Sequence, residues 1–379
     1  MKTKILVKGP ALSYSQYGDL CRDVIQEVRN NKNVDLYILN TGWGNSGWIY
    51  NDDEFREFLD NSILKTSSYI SEGSPSFEIS MQISHPSEWR KLAPNNVGIF
   101  NGSDTATSPA NYNTGYELVD TIVVHSEAQK ATIPESYLKK TKIIQRLLKD
   151  KIELSKSSIP VETEYNFLCP FKWEPKNNIE QVMTSFFQEF QNEPVGLILN
   201  TYIKSRSNVD KAYTVEHLQE MLSIFPKNNN CKIYLLHGDI EREELYSDNK
   251  VCCLVDTRHS MEYDSSFYDS LRAGISIVSS RWGDGLDISD SNYFVMDSRV
   301  ENLKDRHILS EEDKNMQWNY PDHSNLRKKM REAYESKAGV DRDYSNYESL
   351  KDKKLNLHNK MNYNIIIHDI NNGEKNETK

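Results

Sequence analysis

The chain has 379 residues, 37% of them hydrophobic and 27% charged. That length is too great for one ordinary core and suits two globular domains. A mean hydropathy of −0.70, with no apolar run long enough for a bilayer, leads us to expect no membrane span. The net charge of −10 argues against nucleic acid or an anionic membrane as the default partner.

From the N-terminus, Ile5-Leu6-Val7 reads as the core of a first strand, Lys4–Val7, too short for a secretion signal. Asp19–Val28 follows as a crossover helix with Leu20, Val24 and Val28 on one face. Further strands are expected at Val34–Leu39, Phe77–Ile83, Val97–Phe100 and Thr121–His125, the last followed by Ser126 as a helix N-cap. The polar stretch Ser155–Glu164, which contains Pro160, reads as a domain boundary. A second alternating series begins at Tyr165. Its strands are Tyr165–Leu168, Val195–Asn200, Lys232–Leu236, Val251–Val255, Ile275–Val278 and Tyr293–Met296. Its helices are Ile179–Phe190, Val215–Phe225, Glu241–Tyr246 and Ser265–Ala273. Helical stretches at Leu326–Ala333 and Tyr347–Asn359 precede a polar end, Gly373–Lys379, expected to be disordered. Strand–helix alternation implies parallel sheets with helices on both faces. Two series imply two Rossmann-like α/β domains, over 1–160 and 161–340, with a C-terminal helix and tail over 341–379. Five widely spaced cysteines, Cys21, Cys169, Cys231, Cys252 and Cys253, form no Cys-x-x-Cys pair. Neither a zinc site nor a disulfide framework follows, and a reducing cytoplasm fits.

One segment is the most informative: Val251-Cys-Cys-Leu-Val-Asp-Thr-Arg-His259-Ser-Met-Glu-Tyr-Asp-Ser-Ser-Phe-Tyr-Asp269-Ser-Leu-Arg-Ala-Gly274, running on to Trp282-Gly283. It resembles the donor-binding segment of GT-B glycosyltransferases. Elsewhere Ile79–Trp89, Asn96-Val-Gly-Ile-Phe, Val123-Val-His-Ser-Glu127, Trp173-Glu-Pro-Lys176-Asn177 and Leu235-Leu-His-Gly-Asp239 resemble elements of a group-1-type, retaining branch common in tailed phages. The resemblance spans about Lys4 to Tyr334. It implies the GT-B architecture, two Rossmann-like domains facing across a cleft, with a nucleotide sugar (a UDP-sugar above all) as co-substrate and no tightly bound cofactor. The chain departs from the pattern where Ser260, Glu262 and Asp264 replace motif glycines. Met261 takes the place of the first motif glutamate, with Glu262 beside it, and Asp269 takes that of the second.

The site expectations follow. The start of the Ser265–Ala273 helix, with Asp264 and Ser265, would face a diphosphate, because free N–H groups and the helix dipole favour anions. Lys176, Lys204 and Arg206 lie just past strand ends and would offset charge on the leaving diphosphate. Asp269 would accept hydrogen bonds from ribose hydroxyls, and Glu262 would face sugar hydroxyls. Gly283, in Trp282-Gly283-Asp284-Gly285, and Gly18, in the first strand–helix loop, would admit ligand close to the backbone. His85 and Asp104, past two N-terminal strands, complete the catalytic candidates with Glu262. No metal is expected, since the one Asp-x-Asp, Asp341-Arg342-Asp343, lies beyond the second series. Lys8-Gly-Pro-Ala-Leu-Ser13 lacks the Gly-x-Gly-x-x-Gly of a dehydrogenase.

For the acceptor, a surface glycan or protein stands against a hydroxymethylated base in phage DNA. The DNA alternative rests on the phage resemblance and on Lys139, Lys140, Lys142 and Arg146 as phosphate contacts. A catalytically silent nucleotide-sugar or glycan binder is a further alternative, suggested by Met261.

Overall fold

The computed structural model describes residues 2–49, 52–156, 159–226, 229–238, 240–283, 288, 292–304 and 315–373. The chain divides into two compact units. One comprises residues 1–102, 107–146 and 355–379, the other 103–106 and 147–354. The change of unit at 146/147 precedes the expected boundary at Ser155–Glu164. The reason is packing: Ile152, Ile159 and Val161 are buried in the second unit's core, so the polar stretch is an edge of that unit. The expected separate C-terminal piece is divided as well. Residues up to 354 pack with the second unit, and the remainder returns to the first.

The first unit is built on six parallel strands: β1 (Thr3–Gly9), β2 (Val34–Asn40), β3 (Ile79–Ile83), β4 (Asn95–Ile99), β5 (Thr121–Val124) and β6 (Thr141–Ile143). Their order is β2-β1-β3-β4-β5-β6, with register Val7↔Met81 and Met81↔Val97 through the centre. Helix α1 (Gln16–Arg29) is capped by Ser15 and buries Leu20, Val24, Ile25 and Val28, the spacing that places residues on one helical face. Helix α2 (Glu54–Ser71) was not expected. Its buried residues are Leu59, Ser62 and Thr66, so two of the three are polar and its sequence carries little apolar periodicity. Short helices α3 (Asn113–Leu118) and α4 (Glu127–Ala131) follow, the latter capped by Ser126 as expected. At the far end α10 (Ser345–Lys360) leads to α11 (Tyr363–Asn371), whose Tyr363, Ile366 and Ile367 join this core. The backbone N–H of Tyr363 donates to Glu27 at 2.7 Å.

Gly98 in β4 shows how tightly this sheet is covered. A Cβ there would lie 2.4–2.5 Å from three ring carbons of Trp89, itself fully buried. Gly98→Ala is therefore expected to destabilise the chain by about 1–3 kcal/mol through overpacking. A lowered midpoint in urea unfolding checks it, and an unchanged midpoint would mean that Trp89 can move.

The second unit repeats the plan with β7 (Tyr165–Cys169), β8 (Val195–Leu199), β9 (Lys232–Leu235), β10 (Val251–Asp256), β11 (Ser276–Ser280) and β12 (Tyr293–Met296), in the order β12-β11-β10-β7-β8-β9. Helices α5 (Ile179–Phe190), α6 (Asn208–Leu222), α7 (Arg242–Ser247), α8 (Ser265–Ala273) and α9 (His323–Glu335) accompany them. Helix α6 starts seven residues earlier than expected, because Ser207 caps it and its inward side is Asp210, Thr214 and Leu218, again largely polar. An antiparallel pair, β13 (Ser298–Asn302) and β14 (Gln317–Pro321), was also not expected. The five cysteines are buried free thiols. Among the described residues no helix is long and apolar enough to cross a membrane.

Candidate functional site

In the second sheet β7 is followed in sequence by β8 on one side and β10 lies on the other. Strand order reverses at that point, and parallel sheets bind ligands there, outside the carboxyl ends. Past β7 the chain makes a short 3₁₀ turn, Pro175–Asn177, leaving through Asn178 at φ 56°. The loop past β10 is tied to this turn: His259 N–H donates to the Lys176 carbonyl at 2.8 Å, and Met261 N–H to the Ser103 carbonyl at 3.1 Å. These bonds bring three expected residues together. The Lys176 ammonium donates to Asp104 Oδ1 at 2.7 Å and to Glu262 Oε2 at 2.9 Å. The Lys176 side chain is 25% exposed and that of Glu262 14%.

One ammonium thus serves two carboxyl groups. Burial lowers the Lys176 affinity for its proton, but Glu262 and Asp104 outweigh it and hold the ammonium well above its ordinary range. Burial is also the largest effect on Glu262 and the Asp104 charge adds to it; Lys176 opposes both, and the carboxyl is pushed up to about 8. Around neutrality the cluster therefore offers a fixed cation beside a carboxyl that can hold a proton.

The sign of the resulting pH dependence is determined. The folded carboxyl binds its proton near 8 against an ordinary 4.5. Its contribution is fully present below the ordinary value and is lost as pH rises towards about 8. Glu262→Gln is expected to flatten the stability–pH profile in that window, measured as urea midpoints at about pH 5 and about pH 8. Buried Asp264 shifts in the same direction, so the difference between variant and parent isolates Glu262. An unchanged slope would rule out the raised carboxyl.

Asp264 caps α8, accepting from Ser266 N–H at 2.6 Å, and lies 3.1 Å from Arg258 Nε. Arg258 also grips Asp256 through Nε and Nη2, at 2.9 and 2.7 Å. Both oxygens of Asp269 meet arginines: Oδ1 takes Arg272 Nη1 at 2.7 Å and Oδ2 takes Arg242 Nη2. Gly283 sits at φ +57°, with room for a Cβ only 3.8 Å from Met261 Cα. Its need for glycine is conformational. Asp284 and Gly285, like Asp239 and residues 374–379 of the expected disordered end, lie outside the described residues. Lys204 is exposed with its ammonium over the Tyr213 ring, and Arg206 lies over Tyr202, both between β8 and α6.

In the first unit Gly18 is a packing residue, since a Cβ there would lie 2.0 Å from the Ser13 carbonyl oxygen. His85 Nδ1 meets the Tyr112 hydroxyl at 3.0 Å. Of the expected DNA contacts, Lys140 donates to the carbonyls of Tyr116 and Val119 at 2.6 and 2.8 Å, closing the end of α3. Arg146, 8% exposed, is paired with Asp23 at 2.6 Å. Both are spent inside the fold, which the charge pattern alone could not reveal. Lys139 is exposed and Lys142 half-buried. Among the described residues no group of three His, Cys, Asp or Glu side chains is placed to hold a metal.

No known protein-family model matches the chain, and no curated protein does. Solved structures match over nearly its whole length. Anabaena Alr3699/HepE in complex with UDP and glucose is similar at a TM-score of 0.57 and 12% identity, covering 94% of this chain and 98% of that one. Sucrose-phosphate synthase from Thermosynechococcus elongatus gives 0.57 and 11%, covering 99% and 98%. An E. coli trehalose-6-phosphate structure bound with UDP-2-fluoro glucose gives 0.56 and 8%, covering 97% and 99%. This is the GT-B fold. At such identities the likeness carries the architecture and not the role of any residue. Within the GT-B fold of this chain, Arg258 and Arg242 are the charged residues that sequence reasoning passed over. Arg258 had a signal, since it stands in the informative segment between Asp256 and Asp264.

Proposed function

We propose that the chain is a glycosyltransferase that moves a sugar from a UDP-sugar to an acceptor hydroxyl, with retention and without a metal, in the cytoplasm. The observation that carries this is the Lys176–Asp104–Glu262 cluster at the strand-order reversal. Its support is a fold shared with structures that hold UDP, or UDP-2-fluoro glucose. The diphosphate sits at the start of α8, whose N–H groups and dipole favour an anion. Lys176, held in place by Asp104 and Glu262, offsets the charge that builds on the leaving oxygen. The Glu262 carboxyl, able to donate or accept, holds a sugar hydroxyl. The acceptor oxygen bonds to the anomeric carbon on the face that the diphosphate leaves. The carbon–oxygen bond to the diphosphate breaks with its electrons on the departing oxygen, and the acceptor proton passes to it.

Incubation with UDP-glucose tests the reading. Slow UDP release without acceptor is expected, because water can take the acceptor's place. Tight UDP-glucose binding by calorimetry with no release would instead favour the silent binder.

For the acceptor we favour a glycan over a hydroxymethylated base in phage DNA, because Lys140 and Arg146 are committed within the fold. Binding to a 5-hydroxymethylcytosine duplex is expected to be weak, with little salt dependence. Each neutralised phosphate would add close to one unit to the log–log salt slope, so a steep slope lost in Lys139→Glu/Lys142→Glu would restore the DNA reading.

A further inference from the structure

The last helix of the chain packs on the first unit, and one histidine stands at its fastening. α10 ends at Lys360 and α11 begins at Tyr363, and the residues from 355 onwards belong to the first unit. His358, in the last turn of α10, meets a partner at each ring nitrogen. Nδ1 lies 2.8 Å from the carbonyl oxygen of Gln145, two residues past β6. Nε2 lies 3.2 Å from Glu27 Oε2, on α1. The other oxygen of Glu27 accepts from the Tyr363 N–H at 2.7 Å, at the first residue of α11, where helix N–H groups favour an anion. One carboxylate therefore ties both the end of α10 and the start of α11 to α1.

Both partners of the ring are acceptors. A carbonyl and a carboxylate offer no proton, and a neutral imidazole has one donor nitrogen and one acceptor nitrogen. Neutral His358 can serve Gln145 or Glu27, and its remaining lone pair then faces an oxygen. Only the imidazolium donates to both. The pair is also shielded from water, the side chain of His358 being 12% exposed and that of Glu27 20%. The other ionisable groups packed here are engaged elsewhere. Asp23 of α1 and Arg146 past β6 pair with each other at 2.6 Å. Burial pushes the Tyr363 phenol well above its ordinary range, so it stays neutral. Two further ties of α11 carry no charge: Asn31 Nδ2 donates to Asn364 Oδ1 at 2.9 Å, and Asn371 Nδ2 to Thr3 Oγ1 at 3.0 Å.

We propose that His358 is a pH-sensitive clasp for the C-terminal helix: as the imidazolium it holds α11 on the first unit, and on giving its proton to water it lets α11 open while the sheet beneath stays folded. The direction follows from the contacts. The Glu27 carboxylate, helped by the Gln145 carbonyl, outweighs burial and holds the ring's affinity for its proton above the ordinary 6.5. A value raised in the folded state makes the contribution fully present below 6.5, and it is lost as pH rises through the raised value.

The test is hydrogen exchange of the intact chain, read on peptides covering 363–371, at about pH 6 and about pH 8.5, with labelling times scaled to equal intrinsic exchange. Protection of α11 is expected to fall by at least about threefold at the higher pH, since each unit by which the folded value exceeds the ordinary one is tenfold. Peptides of β3 should hold theirs. His358→Gln keeps a donor but does not titrate, and should lose the pH dependence. Glu27→Gln should lose it too, because its amide can donate to the neutral ring while its oxygen still accepts from Tyr363. The histidine Cε1–H signal that disappears in His358→Gln gives the titration midpoint directly, expected above 6.5 in the parent and lower in Glu27→Gln. His368, on α11 itself and 71% exposed, is the control: His368→Gln should leave the fall in place. The proposal is overturned if α11 is equally protected at both pH values, if the fall survives in folded His358→Gln or Glu27→Gln, if β3 opens together with α11, or if the parental midpoint is 6.5 or lower. Where one of the two variants does not fold, the other decides.

Discussion

Lys176→Ala is expected to reduce turnover of a UDP-sugar by about 10²–10³-fold, mostly in kcat, the range seen when one preorganised donor to a developing charge is removed. The argument starts from the geometry. Lys176 lies 2.7 Å from an Asp104 oxygen and 2.9 Å from a Glu262 oxygen, so its ammonium is held in place. In the proposed reaction the leaving diphosphate oxygen gains negative charge at the carboxyl ends of β7 and β10, and a fixed ammonium would meet that charge without reorganising. A ground-state contact would raise KM and spare kcat; a contact that strengthens in the transition state lowers kcat. The variant also leaves Glu262 and Asp104 facing each other without their cation, which moves the Glu262 carboxyl further up. Steady-state UDP release in parent and variant, each checked for folding by circular dichroism, decides the matter. A folded variant with parental kcat would remove Lys176 from the chemistry and return it to a structural ion pair.

What the sequence made legible follows a physical division. The strands of both sheets are apolar runs such as Val251-Cys-Cys-Leu-Val255, fully buried in the structure, and burial on both faces leaves an unmistakable composition. Helix α2 and the start of α6 were not legible, because their inward faces are Ser62, Thr66, Asp210 and Thr214. Lys176 was read correctly as lying past a strand end, but its partners stand 72 and 86 residues away, and no local pattern reports such a meeting. Lys140 shows the opposite failure. Its charge was plain, yet whether the ammonium faces phosphate or the Tyr116 and Val119 carbonyls depends on where α3 ends. The C-terminal helix α11 hides for a related reason: it buries Tyr363, Ile366 and Ile367 against a unit that began more than three hundred residues earlier.

Asp269→Ala is expected to cost the folded state about 3–5 kcal/mol, the range for breaking a buried ion pair from one side. From position alone Asp269 reads as a ribose acceptor, one turn into α8. Its surroundings assign it a second task. The side chain is 9% exposed, and it holds Arg272, 6% exposed, at i+3 together with Arg242. Arg272 also donates to the Asp150 carbonyl at 2.7 Å and to Glu243 at 3.0 Å, but Glu243 is 71% exposed, so removing Asp269 takes away a buried counter-charge and leaves a solvent-screened one. Asp269→Asn keeps the shape and one acceptor oxygen but sets an NH2 against the other arginine and loses the charge, and should fall between parent and alanine. Urea unfolding of the three forms gives the order, and UDP affinity of the two variants under conditions where both are folded separates the roles. If Asp269→Ala loses less than about 1 kcal/mol, as an exposed pair would, the arginines have other support and the ribose role is the stronger reading. If stability falls as expected while UDP affinity in folded Asp269→Asn is unchanged, the carboxylate serves the fold, and the ribose contact must come from another residue past β10.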